Sequence, residues 1–294
     1  MGDQYFEILA PDQWIFPAVF NSPHSGTGFP QAFLQQSRLN SNALRKSEDC
    51  FVDELFLGCK DLGAPMLRAL VTRAYIDLNR EPYELDAKMF IEDLPGYMNP
   101  GSSRVAAGLG TIPKLVAEGE EIYRGKIHLS DAHNRIEQIY RPYHRTLTAL
   151  LNECYNATGF ALLIDCHSMP SSAVNTRGSV HEASVDVVLG DRFSASCSND
   201  IASEAVNFLA AEGFRVARNR PYAGGFITET HGTPRHNRHA LQIEINRSLY
   251  MNESKLIKSS GFLEIQNAMT NVIGKLLNFL PQHDQNDQKK LAAE

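Results

Sequence analysis

The sequence predicts an α/β fold with a mixed, largely parallel central sheet and helices on both faces. Short apolar runs recur without the polar alternation of a half-exposed strand, which suits strands buried on both faces. Between them lie stretches whose apolar residues recur at helical spacing, and strands alternating with helices place helices on both sides of a sheet. Several apolar runs also end abruptly in chemically loaded residues, where ligands bind in open α/β sheets.

In chain order, the first run is Pro17-Ala18-Val19-Phe20, which leads into Asn21-Ser22-Pro23-His24-Ser25-Gly26. Residues 71–80, VTRAYIDLNR, read as a strand with Ala74, Ile76 and Leu78 facing one way and Arg73, Tyr75, Asp77 and Asn79 the other. The polar stretch from Glu92 to Gly125 reads as an ordered excursion near the site. A helix is expected behind Ser130 as N-cap, carrying Ile136, Ile139, Tyr140, Tyr143, Leu147, Leu150 and Leu151, with Pro142 kinking or dividing it. The run from Gly159 to Ile164 meets Asp165-Cys166-His167-Ser168, and the run from Val185 to Leu189 ends at Gly190-Asp191. Residues 200–212 read as a helix ending near Gly213, His239 to Arg247 as a strand, and 253–279 as a long final helix. Without an internal repeat or a Gly/Ser linker, one catalytic domain is expected over 1–281, followed by a polar tail over 282–294.

With 43% hydrophobic and 21% charged residues, the 294-residue chain can bury a sizeable core. A formal charge of −6 argues against a nucleic-acid partner. It leaves room for a small anionic substrate, which needs only a local cationic pocket. The five cysteines (Cys50, Cys59, Cys154, Cys166 and Cys197) form no C-x-x-C pair and read as buried free thiols in a reducing compartment. Neither a signal peptide nor a membrane-length apolar run is visible, so a soluble, cytoplasmic protein is expected, with homo-oligomerisation left open.

The chemistry gathers at the ends of the apolar runs. His24 and His167 share a placement after buried strands, and imidazole is the commonest metal ligand. Asp165 could accept from the second nitrogen of His167 or ligate directly. A hydrolytic zinc site takes three N/O ligands and an open position, and the segment KSEDCFVDELF (46–56) offers a carboxylate. Arg73 and Arg80 beside Asn79 suit a carboxylate clamp. Glu244 lies on the polar side of an otherwise apolar strand, an expensive place for a carboxylate without a partner. Gly224-Gly225 would let backbone N–H groups approach an anion and reads equally well as a turn. Cys166 alternates away from Asp165 and His167, which argues against a thiol hydrolase.

Together these segments resemble the N-formylglutamate amidohydrolase family. The matching stretches are NSPHSG, SEDCFVDELF, RAYIDLNR, GLGTIP with EEIYRGKI, LLIDCHS, DVVLGDRFSASC, PYAGGFIT and HALQIEINRSLYM, in family order from about residue 17 to 252. The resemblance implies a zinc carboxypeptidase-like (phosphorylase/hydrolase-like) fold. It further implies zinc, or another divalent transition metal, on His24, Asp49 and His167. Glu244 then resembles the general base, Arg73 the group polarising the scissile carbonyl, and Asn79, Arg80, Gly224 and Gly225 the substrate contacts. The implied reaction is metal-dependent hydrolysis of N-formyl-L-glutamate to formate and L-glutamate, in histidine degradation. The alternatives are a zinc deacylase or carboxypeptidase for another N-acyl acidic amino acid or short peptide, and a metal-free binding protein. Two departures stand out: Thr27 replaces the glutamate of an H-x-x-E ligand pair, and Glu229-Thr230-His231-Gly232 stands where many members read Glu-His-Tyr-Gly, which leaves Glu229 and His231 without a role.

Overall fold

The computed structural model describes residues 4–117, 119–174 and 185–281, so the expected tail over 282–294 lies outside the described residues. Seven strands form the main sheet: β1 (Phe6–Leu9), β2 (Ala18–Ser22), β3 (Met66–Ala69), β4 (Ala161–Met169), β5 (Val187–Gly190), β6 (Val216–Arg218) and β7 (Arg238–Asn246). Their spatial order is β1-β3-β2-β4-β7-β5-β6. β3, β2, β4 and β7 run parallel. β1 is antiparallel to β3, and β5 is antiparallel to β7 with β6 parallel beside it. β2 and β4 are buried at every position, as their unbroken apolar character requires.

The helices that cover the sheet are α1 (Val52–Leu55), α2 (Leu129–Arg135), α3 (Arg141–Thr158), α4 (Asn199–Ala211), α5 (Phe226–His231) and α6 (Phe262–Phe279). Successive strand residues point to opposite sides, so the core divides in two. Phe20, Leu162, Ile164 and Leu241 pack with the apolar faces of α1, α4 and α6. Val19, Leu67, Leu163 and Ala240 pack with Tyr143, Leu147, Leu150 and Leu151 of α3. Among the described residues, no helix is long and apolar enough to cross a membrane.

Four local expectations are corrected. Residues 71–80 form turns rather than a strand; the strand is β3, just before them. The Asp77 N–H donates to the Thr111 carbonyl and the Asn79 N–H to Asp77 Oδ1, so the backbone finds partners outside any ladder. The side-chain sorting survives in part: Ala74, Ile76 and Leu78 are fully buried in the α3-side core and Arg73, Asp77 and Asn79 line a cavity, but Tyr75, expected beside the latter, packs against the core with Phe33. The last helix starts at Phe262, because Met251–Asn252 and Ile257–Lys258 pair as a short hairpin first. The helix expected behind Ser130 begins at Leu129, whose N–H donates to Glu92 Oε2 (2.8 Å). Pro142, which has no N–H to return to the preceding turn, follows a π turn over Ile136–Tyr140, and the helix then continues to Thr158. Finally, β5 runs antiparallel to β7, so Gly190 lies level with Gln242 instead of beyond the carboxyl ends of the parallel strands.

Candidate active site

The carboxyl ends of β2, β3, β4 and β7 open onto a cavity of about 440 Å³. Its wall includes His24, Asp49, Arg73, Asn79, Arg80, His167, Gly224, Gly225 and Glu244, the residues to which the family resemblance gave a role. Parallel register explains much of this convergence. His167 lies directly opposite Glu244 on β7, and β2 delivers His24 just beyond its own end. The turn carrying His24 is fixed where Gly26 presses on β3's continuation: a Cβ there would sit 2.2 Å from the Val71 carbonyl oxygen. The Asp49 N–H donates to the His24 carbonyl (3.0 Å), which ties the acidic segment to that turn.

The two histidines are held alike. His24 Nε2 is 2.7 Å from Asp77 Oδ1, and His167 Nε2 is 2.9 Å from Asp165 Oδ2. A carboxylate only accepts, so each partner draws the ring proton to Nε2 and leaves the Nδ1 lone pair facing away. Both Nδ1 atoms face Asp49 Oδ2, at 3.4 Å from His24 and 3.0 Å from His167. The ligand atoms of His24, Asp49 and His167 all lie within 4.8 Å of one another, and all three residues are buried. Such a convergence suits a positive charge between them, whether a proton on a ring nitrogen or a metal ion. His24 Nδ1 is a buried nitrogen with no hydrogen-bond partner among the described residues. Tetrahedral zinc with bonds of about 2.1 Å separates its ligand atoms by roughly 3.4 Å, so the set fits such an ion. His24, Asp49 and His167 could therefore hold a metal.

The titrations express the same demand for charge. Burial opposes ionisation of Asp49, yet His167 and His24 hold its carboxyl well below the usual range. Burial likewise opposes a charged His167, yet Asp165, Asp49 and Glu244 hold its pKa well above that of a free imidazole. Asp77 is also held well below the usual range, against its burial, by Arg73, Arg80 and His24. Glu244 behaves oppositely. Burial pushes its carboxyl up to about 7, Asp49 adds to the rise, and His167, Arg73 and Arg247 oppose it. Its Oε1 accepts from Gln242 Nε2 at 2.8 Å.

Around this centre the guanidinium groups are only partly committed. Arg73 donates from Nε to Asp77 Oδ2 (2.9 Å). Arg80 donates from Nε to the Leu109 carbonyl (3.0 Å) and from Nη1 to the Asn79 carbonyl (2.8 Å). Asn79 reaches the wall with both ends of its amide engaged: Oδ1 accepts from the Ile227 N–H, and Nδ2 donates to Asp165 Oδ2 at 3.4 Å. The anion-cradle reading of the glycine pair is revised at Gly225, whose N–H donates to Gln242 Oε1 (2.9 Å). Glycine is needed there because a Cβ would stand 2.5 Å from the Asn79 amide.

Other nominated residues stand elsewhere. Asp53 pairs with Arg68 (2.7 Å) and Glu54 with Lys258 (2.5 Å). Glu229 pairs with Arg192 at 2.9 Å and is half-exposed, and neither it nor His231 lines this cavity. Cys166 points into the α6-side core, where burial drives its thiol well above the ordinary range, so it is no nucleophile. Sequence reasoning missed Arg247, whose Nη2 donates to Asp49 Oδ1 (2.9 Å). Its signal was an arginine closing the apolar run of β7. Gln242, on the same polar strand face as Glu244, and Tyr222 are also on the wall.

Comparison with known proteins gives a consistent result. The family model described as N-formylglutamate amidohydrolase matches residues 16–251. The chain is similar to N-formylglutamate deformylase of Pseudomonas aeruginosa, 30% identical over 251 residues that cover 84% of this chain and 86% of the relative. It is likewise similar to the Pseudomonas putida protein of the same name, 28% identical over 260 residues that cover 85% and 87%. Among solved structures it resembles N-formylglutamate amidohydrolase from Ralstonia eutropha JMP134, with a TM-score of 0.88 and 32% identity over 94% of this chain and 98% of the other. An Agrobacterium tumefaciens protein, 16% identical with a TM-score of 0.66 over 95% of each chain, shares the fold.

Proposed function

The chain belongs to the N-formylglutamate amidohydrolase family, and from that premise we propose that it hydrolyses N-formyl-L-glutamate to formate and L-glutamate with a metal ion, zinc first, on His24, Asp49 and His167. The observation that carries the metal assignment is the convergence of the two imidazole lone pairs on Asp49 Oδ2, with each opposite ring nitrogen already fixed by a carboxylate. A metal ion there supplies a Lewis acid for the scissile carbonyl and acidifies a water nucleophile.

The protein's own groups complete the reaction. Glu244, near neutrality and opposite His167, takes a proton from the attacking water and returns it to the amine nitrogen as the C–N bond breaks. Arg73 has its Nε on Asp77 and lines the cavity, where its guanidinium meets charge developing on the carbonyl oxygen. Arg80 keeps Nη2 for a substrate carboxylate, with Asn79 fixing the wall beside it. The small formyl group suits a reaction centre closed in by His24, His167 and Glu244.

The test is release of formate from N-formyl-L-glutamate by the isolated protein, before chelation, after it, and after metal is returned. Turnover that stops on chelation and returns with metal is expected. No formate release by metal-loaded protein overturns the substrate, and undiminished turnover after complete chelation overturns the metal dependence.

A further inference from the structure

Five cationic side chains line the cavity: Lys46, Arg73, Arg80, Arg104 and Arg247. Four of them are already engaged at close range: Lys46 with Glu120 (2.6 Å), Arg73 with Asp77 (2.9 Å), Arg247 with Asp49 (2.9 Å), and Arg80 with two backbone carbonyls. Arg104 differs. Its guanidinium makes no hydrogen bond among the described residues, and its nearest carboxylate oxygen, Glu84 Oε2, is 3.7 Å away. The side chain is about one-third exposed, so it is neither sealed in the core nor lost to bulk solvent.

The backbone around Arg104 is firmly placed. It belongs to the short helix Ser103–Ala106, whose N-cap Ser102 accepts from the Val105 N–H (3.1 Å). The Arg104 carbonyl accepts from the Leu109 N–H (2.8 Å), and the Leu109 carbonyl accepts from Arg80 Nε (3.0 Å). Arg80 and Arg104 therefore share one wall at different depths. Arg80 is the inner of the two, 3.7 Å from the Asp77 carboxylate that holds His24. Burial lowers the Arg80 pKa, Asp77 opposes this, and the like charges of Arg73 and Arg104 lower it further, which marks a wall that favours an anion.

We propose that Arg104 binds the side-chain carboxylate of the substrate and so sets the preference for an acidic amino acid. This rests on the hydrolytic reading given above. In an N-acyl acidic amino acid, the α-carboxylate is bonded to the carbon that carries the nitrogen. The side-chain carboxylate of glutamate lies two methylenes farther out. With the amide at the His24/Asp49/His167 centre, the α-carboxylate meets Arg80, and the distal carboxylate reaches the outer cation, whose ion-pair partner Glu84 stands 3.7 Å away without a hydrogen bond.

The experiment compares kcat/KM for N-formyl-L-glutamate and N-formyl-L-norvaline, in which a methyl replaces the distal carboxylate, in the wild type, Arg104→Ala, Arg104→Lys and Arg80→Ala. A charge-assisted contact sets the expected wild-type preference for glutamate at on the order of 10–100-fold. Arg104→Ala should pull that ratio toward unity, mainly through KM, and Arg104→Lys should restore part of it. Arg80→Ala should weaken both substrates and leave the ratio standing. An Arg104→Ala ratio equal to that of the wild type overturns the proposal. If the wild type releases formate from neither compound, the hydrolytic reading falls by itself. Titration of L-glutamate against L-norvaline then decides the role of Arg104: selectivity lost in Arg104→Ala supports it, and selectivity unchanged refutes it.

Discussion

Replacing Glu244 by glutamine isolates proton transfer from every other property of the site. The amide is nearly isosteric and keeps Oε1 as the acceptor for Gln242 Nε2, a 2.8 Å contact that orients the side chain. It cannot take a proton from water. Glu244 is buried at the cavity wall and its carboxyl stands at about 7, so near neutral pH both the base and its conjugate acid are populated. General acid–base catalysis contributes roughly 10²–10⁴-fold and works best when the pKa is near the working pH. Formate release should therefore fall at least ~100-fold, about 2.7 kcal/mol of transition-state stabilisation. Folding should be unharmed. A raised carboxyl pKa means that the fold disfavours the ionised form, and a neutral amide removes that penalty. The assay pairs turnover of N-formyl-L-glutamate with metal content and thermal unfolding of the same sample. A Glu244→Gln protein that binds metal, unfolds like the wild type and keeps near-normal turnover would refute the assignment. Glu229 could not then take its place, because it is half-exposed and paired with Arg192.

Further expectations follow from the surroundings of the centre. Asp77→Asn removes the carboxylate 2.7 Å from His24 Nε2, so metal affinity by chelator competition should weaken roughly 10–100-fold; an unchanged affinity argues against the orienting role. Gly225→Ala puts a methyl 2.5 Å from the Asn79 amide and should cut turnover with modest loss of stability, and adding Asn79→Ala should recover the stability. If the double variant is no more stable than Gly225→Ala alone, the clash lies elsewhere. All five cysteines are buried, so iodoacetamide should leave activity of the native protein intact; stoichiometric inactivation would reopen a thiol mechanism.

What could be read from the chain was governed by the range of the interactions. The apolar runs at 17–20 and 159–164 announced β2 and β4 because burial on both faces leaves a local mark in composition. The position of His24 and His167 after those runs carried the site with them. Strand direction leaves no such mark, so the antiparallel placement of β5 was not legible. The turns at 71–80 mimic a strand because Ala74, Ile76 and Leu78 keep a spacing of two where the backbone bends, and only the distant Thr111 carbonyl and the packing of Tyr75 reveal the difference. Asp77 illustrates the limit at the site. Its pairing with a nearby arginine could be foreseen, whereas its hold on His24, 53 residues away in sequence, requires the fold. The choice of Asp49 among neighbouring carboxylates came from family resemblance. Its physical ground appears only in three dimensions, where Asp53 is claimed by Arg68.

The site is also a problem in burying charge, and its solution links chemistry to the core. Isolated ions in a protein interior cost several kcal/mol each, so every buried carboxylate needs a compensating partner. Asp49 meets Arg247 and the histidines, Asp77 meets Arg73 and His24, and Asp165 meets His167. Asp165 is the deepest of these and the one tied to the scaffold. Its Oδ1 accepts from Asn21 Nδ2 (2.7 Å), and Asn21 Oδ1 accepts from the Tyr143 hydroxyl on α3. The orientation of the His167 ring is thus set by a chain of contacts running from the helix layer through β2 to β4. Such a ring does not need to be ordered when a ligand arrives, and low local polarity strengthens each link in the chain. The same arrangement explains why Glu244 can be both buried and functional. Its own desolvation, with the field of Asp49 behind it, raises its pKa, while His167, Arg73 and Arg247 keep it from rising out of the range in which a proton can be exchanged near neutrality.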